Sequence, residues 1–378
     1  MSIIKVDAVV NESGGATATI NGYTPTESNM AGRNRIINGD MRIDQRNAGT
    51  SVTLTAITAS YITDRWYCNN TSDAVLSVTR DASAPSGFTN STKVTVSTAD
   101  ASIGATQNSY FAQWIEGYNS ADLAWGTASA STVTLSFWVR SSLTGVFGAA
   151  LTNSAIDRSY PFTYSISSAN TWEQKSITVV GDTSGTWLKD NGVGVRVWFA
   201  LGTGSTYTGT AGAWAGAEYR GATGQTDIIS TSGATFYITG VQLEAGSVAT
   251  PFEHRMYGQE LQLCQRYFEK SYDYAQVPGS TVDNTIGGYG IAGNTTLIPT
   301  QIYYKVVKRV VGNTFTLYAY DGTSGRVSQY NTPGNTGATG CAAVKIGETG
   351  VNGIIKTGGT DFVAGQYYWW NWTSSAEL

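Results

Sequence analysis

Apolar and polar residues alternate strictly over 132–140, where Val133, Leu135, Phe137 and Val139 share one face and Thr134, Ser136, Trp138 and Arg140 the other. A period of two marks a strand with one buried side. The same rhythm gathers Val193, Val195, Val197 and Phe199, and apolar and polar residues also alternate through Phe236, Ile238, Val241 and Leu243. Such faces make the opposed walls of one core. Residues 35–41 read as a strand and turn, continued by Ile43 and Asp44. Further runs at 75–79, 92–96, 110–115, 146–151, 162–166 and 171–180 bring the predicted strands before residue 249 to about nine, a spacing suited to a jelly roll with long loops.

The alternation ends at the turn Gly246-Ser247. Thr250-Pro251-Phe252-Glu253 then has the form of a capping box: a hydroxyl for an orphan amide, proline at the first helical position and a carboxylate reaching back. A helix is expected there, interrupted at Gly258, where glycine costs about 1 kcal/mol relative to alanine, and resumed over 259–269. Leu261, Cys264 and Phe268 form a stripe along it, offered as a self-association surface because a helix this short is marginal alone. Beyond it, strands are expected at 287–291, 301–309, 314–319, 327–330, 353–356 and 366–373, and a loop at 334–340. The last strand carries Tyr367, Tyr368, Trp369, Trp370 and Trp372 on both sides. One side can fill a core; the other must meet a partner, a ligand or water. The expected fold is all-β: a jelly-roll β-sandwich (34–249), a short amphipathic connecting helix (250–272) and a smaller C-terminal β domain (273–378). Residues 1–33 read as an attachment segment, too poor in apolar residues to bury a core.

Composition supports this picture. Of 378 residues only 13% are charged, against about 25% in ordinary globular proteins. Forty-four glycines, 11 Trp and 22 Tyr favour short strands and turns. Net charge is -4 with a pI near 5.1, and no basic run offers a stripe for phosphates, so no nucleic-acid partner is expected. No apolar run approaches the roughly 20 residues of a spanning helix, and the first residues lack a secretory core, so no membrane insertion is expected and folding is expected in the cytosol. Cys68, Cys264 and Cys341 lack CxxC spacing and read as reduced thiols.

The residues offer little catalytic chemistry. His254 is the only histidine, nothing resembles GxSxG, and a multi-histidine zinc site is impossible. No enzyme, metal or cofactor is expected. Glu116, Asp122, Glu173 and Asp227 are available for glycoside hydrolysis, whose two acids need only meet in space, but no spacing selects them. Asp64-Arg65-Trp66 reads as structural, with tryptophan in the core and the charged pair tying strand ends. A calcium site using Asp40, Asp44 and Asp64 is the alternative, although no DxDxDG loop accompanies them. Between 202 and 233 the alternation stops while Tyr207, Trp214 and Tyr219 remain, and Trp187 lies in a turn at 181–191. Flat aromatic rings stack on the C–H faces of sugars, which makes these four the candidate glycan surface. Packing on the module's own sheet or on a neighbouring copy explains the same residues and is the favoured reading.

Several blocks carry a resemblance: NRIINGDMRIDQ (34–45) followed by Arg46, YITDRW (61–66), TLSFWVRSS (134–142) and GVQLEAGSVATPFEHRMYGQELQLCQRYFEKS (240–271). In this order they resemble tail fibre and tail-associated proteins of tailed bacteriophages, over roughly two-thirds of the chain. The resemblance implies a virion tail protein made in the host cytoplasm, with a carbohydrate-binding-like jelly roll. It further implies homotrimerisation, docking of 1–33 on other tail proteins, and host adsorption through surface polysaccharide, with 273–378 distal. Two alternatives are a purely structural decoration or adaptor protein of tail or capsid, and a polysaccharide-degrading tailspike.

Overall fold

The computed structural model describes residues 32–281, 287–330, 337–359 and 361–378. The attachment segment therefore lies almost wholly outside the described residues, as does part of 334–340.

The first module contains β1 (Val52–Leu54), β2 (Thr58–Thr63), β3 (Trp66–Asn70), β4 (Val75–Asp81), β5 (Ser91–Thr98), β6 (Asn108–Glu116) and β7 (Val133–Ser141). It continues with β8 (Gly145–Thr152), β9 (Ser159–Ile166), β10 (Glu173–Val179), β11 (Val193–Thr203), β12 (Thr208–Gly209), β13 (Gly221–Ala222) and β14 (Thr235–Ala245). Two six-stranded antiparallel sheets, in the orders β1-β4-β5-β14-β7-β10 and β2-β3-β6-β11-β8-β9, face each other as a jelly-roll sandwich. Val133, Leu135, Phe137 and Val139 meet Val195, Val197 and Phe199 in one core with Phe111 and Trp66. Trp66 is fully buried, stacks on Phe111 at 4.8 Å, and donates its indole N–H to the Asn38 carbonyl at 2.8 Å.

Residues 35–41 are buried yet form no strand, which corrects the sequence reading. Two backbone bonds tie the segment to β14, Arg35 N to the Leu243 carbonyl (3.0 Å) and Val241 N to the Gly39 carbonyl (2.9 Å), and side-chain amides take up further backbone groups. The Asn34 amide nitrogen donates to the Val241 carbonyl (3.1 Å), and its oxygen accepts from Ile36 N (3.0 Å) and Leu243 N (3.2 Å). Gln113 both accepts from Ile37 N (2.8 Å) and donates to its carbonyl (2.7 Å). Buried backbone groups need partners of some kind, and apolar spacing cannot say which.

The capping box is corrected too. Helix α1 is Tyr257–Gln265, starting after Met256 with no side-chain cap, and Gly258 lies in its first turn. Thr250 instead bonds Glu244 (Oγ1 to Oε2, 2.6 Å), while the Glu253 carboxylate accepts from Gly32 N (3.0 Å) and Asn34 N (2.7 Å). The TPFE turn clamps the chain's entry into the sandwich rather than starting a helix.

After α1 come β15 (Phe268–Lys270), β16 (Gly288–Ile291), β17 (Leu297–Tyr303), β18 (Thr314–Tyr318), β19 (Ser328–Gln329), β20 (Cys341–Ala343), β21 (Gly350–Lys356) and β22 (Tyr367–Ser375). β22 is the spine, pairing with β15, β16, β18 and β19; β17, β21 and β20 form a second, three-stranded sheet. Tyr368, Trp370 and Trp372 point into the core between them with Ile298, Leu317 and Ile354.

Candidate functional site

The residues assigned to self-association lie inside the chain. Phe268 begins β15 instead of extending the helix, and Cys264 packs with Ile37, Ile43 and Tyr267. Leu261 flanks that cluster half-buried. Cys264 and Phe268 are thus taken up within the chain, Cys264 against Ile37 and Ile43, while Leu261 and Leu263 stay partly exposed.

The four aromatic candidates divide. Trp187 is only 8% exposed, and it forms edge-to-face contacts with Trp125 (4.7 Å) and Trp214 (5.5 Å). Both indole N–H groups are spent on the chain's own carbonyls, Trp187 on Ser184 (3.1 Å) and Trp214 on Val180 (2.7 Å). This is a rim cluster sealing the sandwich. Half-buried Tyr219 lies beside Gly209, where a Cβ would come within 2.2 Å of its ring. Tyr207 is also half-buried, and lies under the Arg220 guanidinium at 4.6 Å.

The acids are similarly engaged. Glu116 is buried, accepts from Arg266 at 2.6 and 2.9 Å, and also takes the Tyr267 hydroxyl at 2.6 Å. Asp122 pairs with Arg35 and Glu173 with Lys175. Asp227 accepts from Gln225 (2.9 Å), and burial pushes its pKa up. Asp40 pairs with Arg42 (2.8 Å), Asp44 accepts from Asn47 N (2.8 Å) and Gly49 N (2.6 Å), and Asp64 accepts from Gln45. Among the described residues no group of three or more His, Cys, Asp or Glu is placed to hold a metal. His254 packs against Phe88 (5.3 Å) and Phe252 (4.9 Å). All three cysteines are buried free thiols, and burial pushes Cys68 up to about 12.

Two aromatic surfaces do reach solvent. The first lies on the outer side of β22, where Trp369 faces away from the core. Here β22 pairs with β16 and β19 so that Trp369 lies opposite both Tyr289 and Ser328. Tyr289, Tyr330, Tyr367, Tyr368 and Trp369 line a groove of about 280 Å³. Tyr289 is 73% exposed, Tyr330 54% and Tyr367 52%. Tyr320 stacks on Trp369 at 5.8 Å with planes 9° apart, and Tyr330 meets it edge-on at the same distance. Rings held this way are rigid, so a ligand that stacks on them orders few side chains.

The second surface is the outer face of the sheet β2-β3-β6-β11-β8-β9, which sequence reasoning missed. Tyr67, Tyr110, Trp114 and Trp198 surround Ala112, which lies opposite Tyr67 on one side and Trp198 on the other. Tyr67 lies 5.1 Å from Trp114, and Tyr110 lies 4.6 Å from Trp198. Tyr67 and Trp114 remain half-exposed. The signal was present at 110–115, which puts aromatics on both faces of one strand.

No protein-family model matches the chain, and no curated protein matches it in sequence. Solved structures align with about half of it. The enzymatically active domain of tailspike protein 4 from bacteriophage CBA120 is 12% identical over 56% of this chain and 21% of that one, with a TM-score of 0.29. This chain therefore matches only about a fifth of the tailspike's length. A putative sugar binding protein from Bacteroides thetaiotaomicron is 10% identical over 57% of this chain and all of its own, with a TM-score of 0.33. A family 11 carbohydrate-binding module from Clostridium thermocellum is 13% identical over 53% of this chain and all of its own, with a TM-score of 0.25. Likenesses of this depth carry no argument for a site or a function.

Proposed function

We propose that the protein is a bacteriophage tail subunit, of fibre or tail tip, that adheres to host-surface glycan without cleaving it. The supporting sequence observation is the ordered set of blocks from residue 34 to residue 271 that resembles tail-associated proteins. The single structural observation that carries the glycan reading is the open groove of Tyr289, Tyr330, Tyr367 and Trp369. Its rings offer flat faces to sugar C–H groups, and its tyrosine hydroxyls can bond sugar hydroxyls without a cofactor. The test is binding of the full chain to a glycan array and to host polysaccharide. Tyr289→Ala and Tyr367→Ala, both at exposed positions, should each weaken binding about tenfold, equivalent to about 1.4 kcal/mol. Unchanged affinity in both variants would remove the groove from the account, and release of reducing ends would make the protein a degrading spike.

A second reading is favoured by the aromatic lining itself: a groove of this kind also suits a protein interface, as in a structural adaptor. Homotrimer assembly belongs to the proposal, although Cys264 and Phe268 of the expected helical stripe are buried within the chain. Light scattering at micromolar concentration should give three chain masses; one chain mass sinks that element. Antibody labelling of virions should place the protein on the tail, and labelling of the capsid would favour the decoration reading.

A further inference from the structure

The outer face of the second sandwich sheet holds a cation, Arg196, that forms no ion pair with a carboxylate among the described residues. Arg196 stands on β11 opposite Trp114 of β6, with its guanidinium 5.8 Å from the indole. Its Nη1 donates to the carbonyls of Asn153 (2.8 Å) and Ser154 (2.6 Å), and its other nitrogens donate to none of the described residues. Glu218, the acid whose charge it feels, is paired with Arg220. Arg220 reaches the same face over Tyr110 (5.6 Å) and Trp198 (5.1 Å), and also donates to Asn108 (2.9 Å). Two cations and one carboxylate therefore share this patch, a local positive balance on a chain of net charge -4.

A partly desolvated guanidinium without a counterion is costly, and an incoming anion relieves that cost. Guanidinium also takes a carboxylate through two parallel N–H bonds, a geometry that a neutral hydroxyl does not match. The half-exposed rings of Tyr67 and Trp114, 5.1 Å apart, lie beside it as a stacking surface. We propose that this face binds a carboxylated saccharide, with the carboxylate on Arg196 and the sugar ring on Trp114 and Tyr67. The inference rests on the glycan reading above but uses a different surface, on the other module.

The test is an array on which each carboxylated glycan stands beside its carboxyl-reduced form, probed with the full chain, Arg196→Gln, Arg196→Lys, Trp114→Phe and Tyr367→Ala. Expected results are preference for carboxylated members and a loss of roughly tenfold or more in Arg196→Gln, the scale of a hydrogen bond to a charged group. Arg196→Lys should recover part of that loss, and Trp114→Phe should retain most binding. Thermal melts of each variant separate lost binding from lost folding. Equal binding of reduced and carboxylated forms, no binding at all, or full binding by a folded Arg196→Gln overturns the proposal. Loss of all binding in Tyr367→Ala with none in Arg196→Gln overturns it while leaving the distal groove intact. A dimer that Arg196→Gln dissociates would instead show the patch to be an interface between copies.

Discussion

Asp64 shows how burial and hydrogen bonding compete at a single residue. It is fully buried, and burial pushes its pKa up to about 6 despite Arg46 nearby and donation from Gln45 N (3.0 Å) and Gln45 Nε2 (2.5 Å). The folded state thus holds this proton more tightly than the unfolded chain, whose carboxyl keeps the ordinary value near 3.8. Its contribution to stability is full below that value and is lost as pH rises through about 6. Melts of wild type and Asp64→Asn should show the wild type gaining on the variant between pH 7.5 and pH 5. A constant difference between the two would show that Asp64 titrates normally. Gly39 is a second sensitive residue. A Cβ there would sit 2.2 Å from the Val241 carbonyl, a backbone atom that cannot swing away. Gly39→Ala should cost about 2 kcal/mol or more in denaturant unfolding, because the entry peptide must move off β14.

Among elements, β22 does the most joining. It pairs with four strands, and just beyond its end Glu377 lies between Arg46 and Arg65 of the first module. Arg65 is buried, with its guanidinium 3.6 Å from the Tyr267 ring centroid. Removing the carboxylate leaves that cation uncompensated, so Glu377→Gln should destabilise by about 3 kcal/mol. Chemical denaturation would register this as a lower midpoint, and an unchanged midpoint would mean that water replaces the carboxylate. β22 also divides its aromatic residues: Trp370 and Trp372 fill the core, Tyr367 and Trp369 line the groove, and Tyr368 packs in the core while bordering the groove.

At the scale of the whole molecule, several polar ties cross between the modules. Arg266 reaches Glu116 at 2.6 Å, and Gln45 donates to the Phe268 carbonyl at 2.9 Å. Arg309 donates at once to the carbonyls of Asn191 (2.7 Å), Ala376 (2.8 Å) and Glu377 (2.8 Å). Groups buried this way lose their partners if either module opens alone. Scanning calorimetry should therefore show one cooperative transition for the whole chain. Two resolved transitions would show that the crossing contacts are too weak to couple the modules.

Legibility divided along the range of the interactions. Period-two alternation is local, and the strands at 133–141, 193–203 and 235–245 were readable because each needs only one face buried against something apolar. Trp66 was readable as core because so large an apolar ring anchors a sandwich wherever it is buried. The outward aromatics of β22 were readable as needing company, but not which ring meets which. The entry peptide was misread because its partners, Gln113, Val241 and Glu253, lie far along the chain. TPFE was misread because a capping box and a long-range clamp use the same hydroxyl and carboxylate. The Tyr67–Trp114–Arg196 face comes from three strands and exists only once register is set. Alternation along the chain determined the all-β sandwich, since each strand hides its own apolar side. Tertiary structure alone decided which polar groups satisfy the buried backbone and which aromatic rings are left facing solvent, because both depend on neighbours that only folding brings together.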